Sequence, residues 1–136
     1  MYELLKQISA SNEWMFQYGR RDFNNLFDEM QDGEIHIFLD PIKLQNNFDD
    51  FNTLASVNHT GSFMMVVKSE FDQLYNDKYV ENIKPIIEAG VNTILEDLSC
   101  HPDYSIILWN SVEVINILDA NYDGIIVNYN LEEDKL

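Results

Sequence analysis

The sequence predicts an α+β domain: an antiparallel sheet of about four strands, helices packed on one face, and a C-terminal β-hairpin. Apolar residues follow helical spacing near the N-terminus and change to strict alternation after Gly33. The longest helical stripe, over residues 79–98, lies between strand-like segments. Consecutive strands joined by short turns favour antiparallel pairing. At 136 residues the chain is long enough for one core, so residues 1–136 are predicted to form a single domain.

The N-terminal third is predicted to contain two helices. The apolar residues from Met1 to Ile8 recur at the i, i+3, i+4, i+7 spacing of one helical face. The apolar run 14–16 is either a strand or a link. A second helix is predicted over residues 20–33, which end in Gly33, a residue that often follows a helix C-terminus.

The middle of the chain is predicted to hold two strands and the longest helix. Residues 35–39 alternate as a strand, whereas residues 43–60, rich in Asn, Asp, Thr and Ser, predict a long loop. A second strand is predicted within 61–71. The helix over 79–98 contains Pro85, which either kinks it or lies in its first turn.

The C-terminal segments, about 105–118 and 124–132, predict a hairpin whose tip resembles the start of a calcium-binding loop. Asp119, Asn121 and Asp123 have the ligand spacing, and Gly124 has the sixth position. The twelfth position, which needs a bidentate Glu, is Asn130, and the exit segment alternates as a strand. We therefore interpret the stretch as a turn, with Gly124 supplying a positive φ.

The charge excludes several classes of partner. Twenty-four acidic and eight basic residues give a net charge of −16, which repels phosphates, so direct attraction to DNA, RNA or anionic lipid is not expected. Basic surfaces, cations or copies of the same chain are the expected partners. The single Cys100 excludes an internal disulfide, and neither a signal peptide nor a membrane span is predicted.

No catalytic, cofactor-binding or metal site is predicted, and the sequence gives no support for an enzyme. The histidines are not expected to cluster, adjacent acids are interpreted as solvated surface, and the one basic pair as a helix start or a contact with a neighbouring copy. The residues considered were His36, His59, His101, Cys100, Ser99, Ser105, Asp103, Asp49, Asp50, Asp28, Glu29, Arg20 and Arg21.

Four segments together resemble small virion proteins of tailed bacteriophages, especially those of gut Bacteroidales, including the crAss-like group. They are EWMFQYGRRDFNNLF, EIHIFLDPI, GSFMMVVKSEFDQLY and INILDANYDGIIVNYNLEED. The order of elements is also similar to that of tail-terminator and neck-ring proteins.

The resemblance implies a structural virion protein that forms a ring at the head–tail neck or tail junction, around the DNA channel. Its implied partners are copies of itself and other neck or tail proteins, while DNA passes without specific binding. The segments 43–60 and 118–132 are the expected contacts with a neighbouring copy. Two alternatives remain: an acidic DNA mimic that inhibits a host nucleic-acid-binding protein, and a cytoplasmic adaptor.

Overall fold

The computed structural model describes residues 1–19, 34–117 and 121–136, and in these ranges the fold is α+β, as predicted. The helices are α1 (Tyr2–Ser11) and α2 (75–99). The strands are β1 (Met15–Tyr18), β2 (His36–Leu39), β3 (Lys43–Phe48), β4 (Leu54–Lys68), β5 (Tyr104–Ile117) and β6 (Tyr122–Asp134).

The sheet is larger than the predicted four strands and is mixed. Five of its six strands follow the order β1-β2-β4-β6-β5, and the sixth, β3, pairs with the part of β4 that β2 leaves free. β1 and β2 are parallel, while every other pair is antiparallel. The helix predicted over 20–33 lies outside the described residues.

The prediction of a long loop over residues 43–60 is wrong. Residues Lys43–Phe48 form β3, and Leu54 begins the 15-residue β4, so only the short turn between them is irregular. β3 lies at the edge of the sheet, and the first half of β4 carries polar side chains on the face away from the helices. Neither segment therefore shows the apolar alternation by which a half-buried strand is recognised.

The long helix predicted near 79–98 is present and begins at Tyr75. Two π-helical turns, Tyr79–Ile83 and Ile87–Val91, interrupt it, and Pro85 lies in the α-helical segment between them. Each π turn contains one residue more than an α-helical turn, so the side chains that follow it are rotated about the helix axis. Within the predicted helical stripe, Val80 is 61% exposed, whereas Ile86 is fully buried.

The main core lies between the two helices and one face of the sheet. Gly90 lets α2 approach β4 closely, since a Cβ there would lie 2.5 Å from Cε of Met65. From the sheet the core takes Ile37, Leu39, Phe63, Met65, Val67, Ile125, Val127, Tyr129 and Leu131. The opposite face has its own buried cluster, formed by Phe38, Met64, Val66 and Tyr122.

Candidate functional site

The calcium-like motif contributes a carboxylate to a buried ion pair. Asp123, predicted to lie in a turn, is the second residue of β6 and is fully buried. Its Oδ2 accepts hydrogen bonds from Lys78 Nζ at 3.3 Å and from Asn82 Nδ2 at 2.9 Å. Its Oδ1 accepts the backbone N–H of Asn116 at 2.9 Å.

The lysine of this pair is as fully bonded as the aspartate. Lys78 Nζ also donates to the Glu70 carbonyl at 2.6 Å, to Asn116 Oδ1 at 2.9 Å and to Ser69 Oγ at 3.2 Å. These bonds join the start of α2 to the segment after β4 and to the β5–β6 hairpin. The arrangement is that of a structural tether.

The environment keeps the carboxylate of Asp123 ionised. Burial alone would raise its pKa, but hydrogen bonds from the Asn116 N–H, Asn82 and Lys78 outweigh burial and lower the pKa below its ordinary value. A calcium ion bound through Asp123 would have to displace the Lys78 ammonium. The absence of calcium binding remains a prediction.

Gly124 is required for a different reason from the one predicted. It lies in β6, and the left-handed conformation belongs to Asn121, with φ of 57°. A Cβ on Gly124 would lie 1.9 Å from the carbonyl oxygen of Met65 and 2.8 Å from Cα of Val66. The glycine therefore permits close contact with the backbone of β4.

Two of the three histidines contact the same tyrosine. The rings of His59 and His101 contact Tyr104, with centroid distances of 5.7 Å and 4.9 Å. His59 Nε2 lies 2.9 Å from Oε2 of Glu133. The histidines and Tyr104 line an open cavity of about 520 Å³ beside the start of α1. Within the described ranges, no group of three or more His, Cys, Asp or Glu side chains is arranged to hold a metal ion.

His36 is a buried residue of β2. It lies on the sheet face opposite Ile37, but that face is also buried, and His36 is 1% exposed. Its ring stacks on Phe38 with a centroid distance of 4.4 Å. Burial lowers the pKa of His36 to about 4, although the charge of Glu34 acts in the opposite direction.

The residues considered for nucleophilic catalysis have other partners. Ser99 Oγ donates to a carbonyl of its own helix at 2.7 Å, and His101 Nδ1 accepts the N–H of Asp103 at 3.2 Å. Cys100 is an exposed thiol at the end of α2, and Ser105 is exposed near the start of β5. No hydrogen bond joins a serine to a histidine in this group.

Among the acidic pairs, Asp49 has a clear structural role. Its Oδ1 accepts the N–H groups of Phe51 and Thr53 at 2.9 Å and 2.8 Å, which fixes the β3–β4 turn. Asp50 is exposed beside it. The pairs Asp28-Glu29 and Arg20-Arg21 lie outside the described residues.

Strand β5 is an open edge of the sheet. It pairs with β6, and no other described strand pairs with its outer side. Its 14 residues include one charged residue, Glu113, and no Lys, Arg or Pro. Ile107, Leu108 and Val112 are 56%, 45% and 54% exposed. Proteins usually protect an edge with lysine, proline or a covering element, because its free N–H and C=O groups are a template for another strand.

On the other side of the sheet β1 is the outermost described strand, and β3, which pairs with a different part of β4 from β2, also has an open side. Within the described ranges β3 pairs only with β4, and its one charged residue is Lys43. Leu44 and Phe48 are both 61% exposed, and the adjoining turn presents Phe51, which is 88% exposed. Strands β5 and β3 thus both combine free backbone groups with apolar side chains.

The comparisons with known proteins identify no family. No protein-family model matches the sequence, and no curated protein is significantly similar to it. Across the part of the chain that the structure describes, no helix is both long enough and apolar enough to span a membrane.

Proposed function

We propose that this protein is a structural virion component of a tailed phage, which assembles with copies of itself into a ring at the head–tail neck or tail junction. The observation that carries the proposal is the long, open and almost uncharged strand β5. An exposed apolar edge is a site for adding a strand from another chain.

The charge distribution explains why contacts between copies would be confined to the edges. Two chains of charge −16 repel each other over most of their surfaces. Strand β5 brings only one carboxylate into a contact, and β3 brings one ammonium group. Association through these strands avoids most of the like-charge repulsion.

A closed ring needs two different, complementary patches on each copy. Strands β5 and β3 lie at opposite sides of the sheet and supply two such patches. The segment 43–60 remains a proposed contact with a neighbouring copy, through the open edge of β3. In the segment 118–132, β6 is paired on both sides, with β4 and β5, so its backbone is not free to pair with a neighbour.

The acidic outer surface of α2 favours the second candidate function, a DNA mimic. Carboxylates spaced along an exposed helix can occupy the phosphate sites of a basic nucleic-acid-binding protein. The exposed acids of α2 are Asp77, Glu81, Glu88, Glu96 and Asp97.

Light scattering after size-exclusion chromatography tests the ring, and mass spectrometry of purified virions tests its location. Val112→Lys adds a charge to the β5 edge and is expected to reduce assembly. Val80→Lys is the matched control, because Val80 is 61% exposed on α2 and Val112 is 54% exposed. Both variants should melt near the parent temperature.

The proposal is rejected if the protein is monomeric at all concentrations and missing from virions. Tight binding of that monomer to a host nuclease would establish the DNA mimic instead. Equal assembly of the two valine variants would show that β5 does not make the contact.

A further inference from the structure

A row of side-chain amides crosses the sheet on the face opposite the helices. Gln45 Nε2 donates to Asn47 Oδ1 at 3.3 Å, and both residues lie on β3. Asn47 Nδ2 donates to Asn58 Oδ1 on β4 at 2.6 Å, and Asn58 Nδ2 donates to Asn130 Oδ1 on β6 at 3.0 Å. Each amide group thus donates a hydrogen bond to the next one in the row.

Two further amide side chains lie on the same face, toward the far edge of the sheet. Asn128, two residues from Asn130 and therefore on the same face, lies directly opposite Asn110 of β5. Asn110 is exposed at the open edge, as is Gln45 at the other end of the row. The same kind of polar, uncharged group thus stands at both open edges.

The strand directions also suit a contact between these edges. β3 is antiparallel to β4, β4 to β6, and β6 to β5, so β3 runs antiparallel to β5. A neighbour related by rotation about an axis along the strands keeps these directions. Its β3 would therefore meet β5 antiparallel, the arrangement in which facing residues exchange N–H···O=C bonds.

Charge favours this contact over pairing of β5 with a second β5. The contact of β5 with β3 brings together one acid, Glu113, and one base, Lys43. Two copies of β5 would bring together two acids in a chain that already carries −16.

We infer that β5 of one copy pairs antiparallel with β3 of the next, with Asn110 opposite Gln45, so that the amide row continues from copy to copy. This inference rests on the proposed self-assembly and names the two surfaces that make it. In this register Val112 lies opposite Lys43 and Leu108 opposite Asn47, and each facing pair shares one face of the sheet. Because the two patches differ, repetition of the contact generates a ring or filament and not an isolated dimer.

Disulfide trapping tests the contact. In a Cys100→Ser background, Gln45→Cys combined with Asn110→Cys places thiols at facing positions, whose Cα atoms would lie within about 7 Å. Mild oxidation is expected to give a ladder of covalent multimers on a denaturing gel. The matched control is Asn46→Cys with Asn110→Cys, because Asn46 points to the other face of the sheet and should give no ladder.

The outcomes separate this contact from assembly in general. A covalent dimer formed by Asn110→Cys alone would show β5 pairing with itself and would overturn the inference. Multimers by light scattering without a Gln45–Asn110 crosslink would overturn the inference and leave the proposed self-assembly standing. A protein that stays monomeric throughout would overturn both.

Discussion

The Nζ atom of Lys78 lies 3.3 Å from Oδ2 of Asp123, and neither side chain is exposed to solvent. Removing two charges from water costs several kcal/mol for each ion and is offset only when the remaining hydrogen-bonding groups are satisfied. Here the ammonium has three further acceptors, and the carboxylate has donors on both oxygens. Because Lys78 belongs to α2 and Asp123 to β6, the pair fixes the helix on the sheet.

Lys78→Met should destabilise the protein strongly, because it leaves the Asp123 carboxylate buried without a counter-charge. The expected loss in the free energy of unfolding is about 3–5 kcal/mol, measured by urea denaturation. Lys84→Met is the control, since the Lys84 side chain is 53% exposed and its Nζ lies 3.9 Å from Oε1 of Glu88. Its effect should stay within about 0.5 kcal/mol. Equal losses in the two variants would contradict the structural role of the pair.

The motif that contains Asp123 should not bind calcium with the affinity of a sensor. The carboxylate oxygens of Asp123 already accept three hydrogen bonds, one of them from an ammonium group. Isothermal titration should show no site with a dissociation constant at or below roughly 10⁻⁵ M. A site in that range, abolished by Asp123→Asn, would prove this prediction wrong.

His36 should make stability depend on pH in mildly acidic solution. Its pKa is about 4 in the folded chain and 6.5 ordinarily, so between these values the unfolded chain binds a proton that the folded chain does not. The free energy of unfolding should fall by about 3 kcal/mol as the pH drops through this window and stay level above it. His36→Phe should remove this part of the dependence. Parallel pH curves for parent and variant would refute the prediction.

Two glycine substitutions should lower the free energy of unfolding by very different amounts. Gly124→Ala forces a methyl group against the backbone of β4, 1.9 Å from the carbonyl oxygen of Met65. It should cost about 3 kcal/mol or more, or prevent folding. Gly90→Ala meets the mobile end of the Met65 side chain at 2.5 Å and also removes the cost of glycine in a helix. Its net effect should lie within about 1 kcal/mol, and the reverse order in thermal melts would be inconsistent with this packing.

The sequence predicts best those segments that bury one face and expose the other. The alternation of Ile125, Val127, Tyr129 and Leu131 identifies β6, and all four residues are buried in the main core. The spacing of apolar residues identifies helix α1 for the same reason. In both cases local periodicity matches burial.

The rest of the fold depends on contacts between distant segments of the chain, which local periodicity does not indicate. Asn58 and Asn130 meet across 72 residues of sequence, so a polar segment that resembles a loop becomes a strand. The sequence does contain one signal for the ion pair. In the alternation of β6, Asp123 lies on the same face as Ile125 and Val127, so an acidic residue occupies a face that is predicted to be buried. Nothing local indicated that Lys78 was its partner.

The position of β6 has a consequence for synthesis of the chain on the ribosome. Of the six described strands β6 is made last, yet it lies between β4 and β5. The nascent chain therefore carries β4 with one long side unpaired, and β5 has no strand to join, until residues 122–134 emerge. Pairing between distant segments is slow and leaves apolar strands open to other chains in the meantime. Completion of this sheet is thus expected to wait for the synthesis of β6, and premature termination after β5 should yield aggregates.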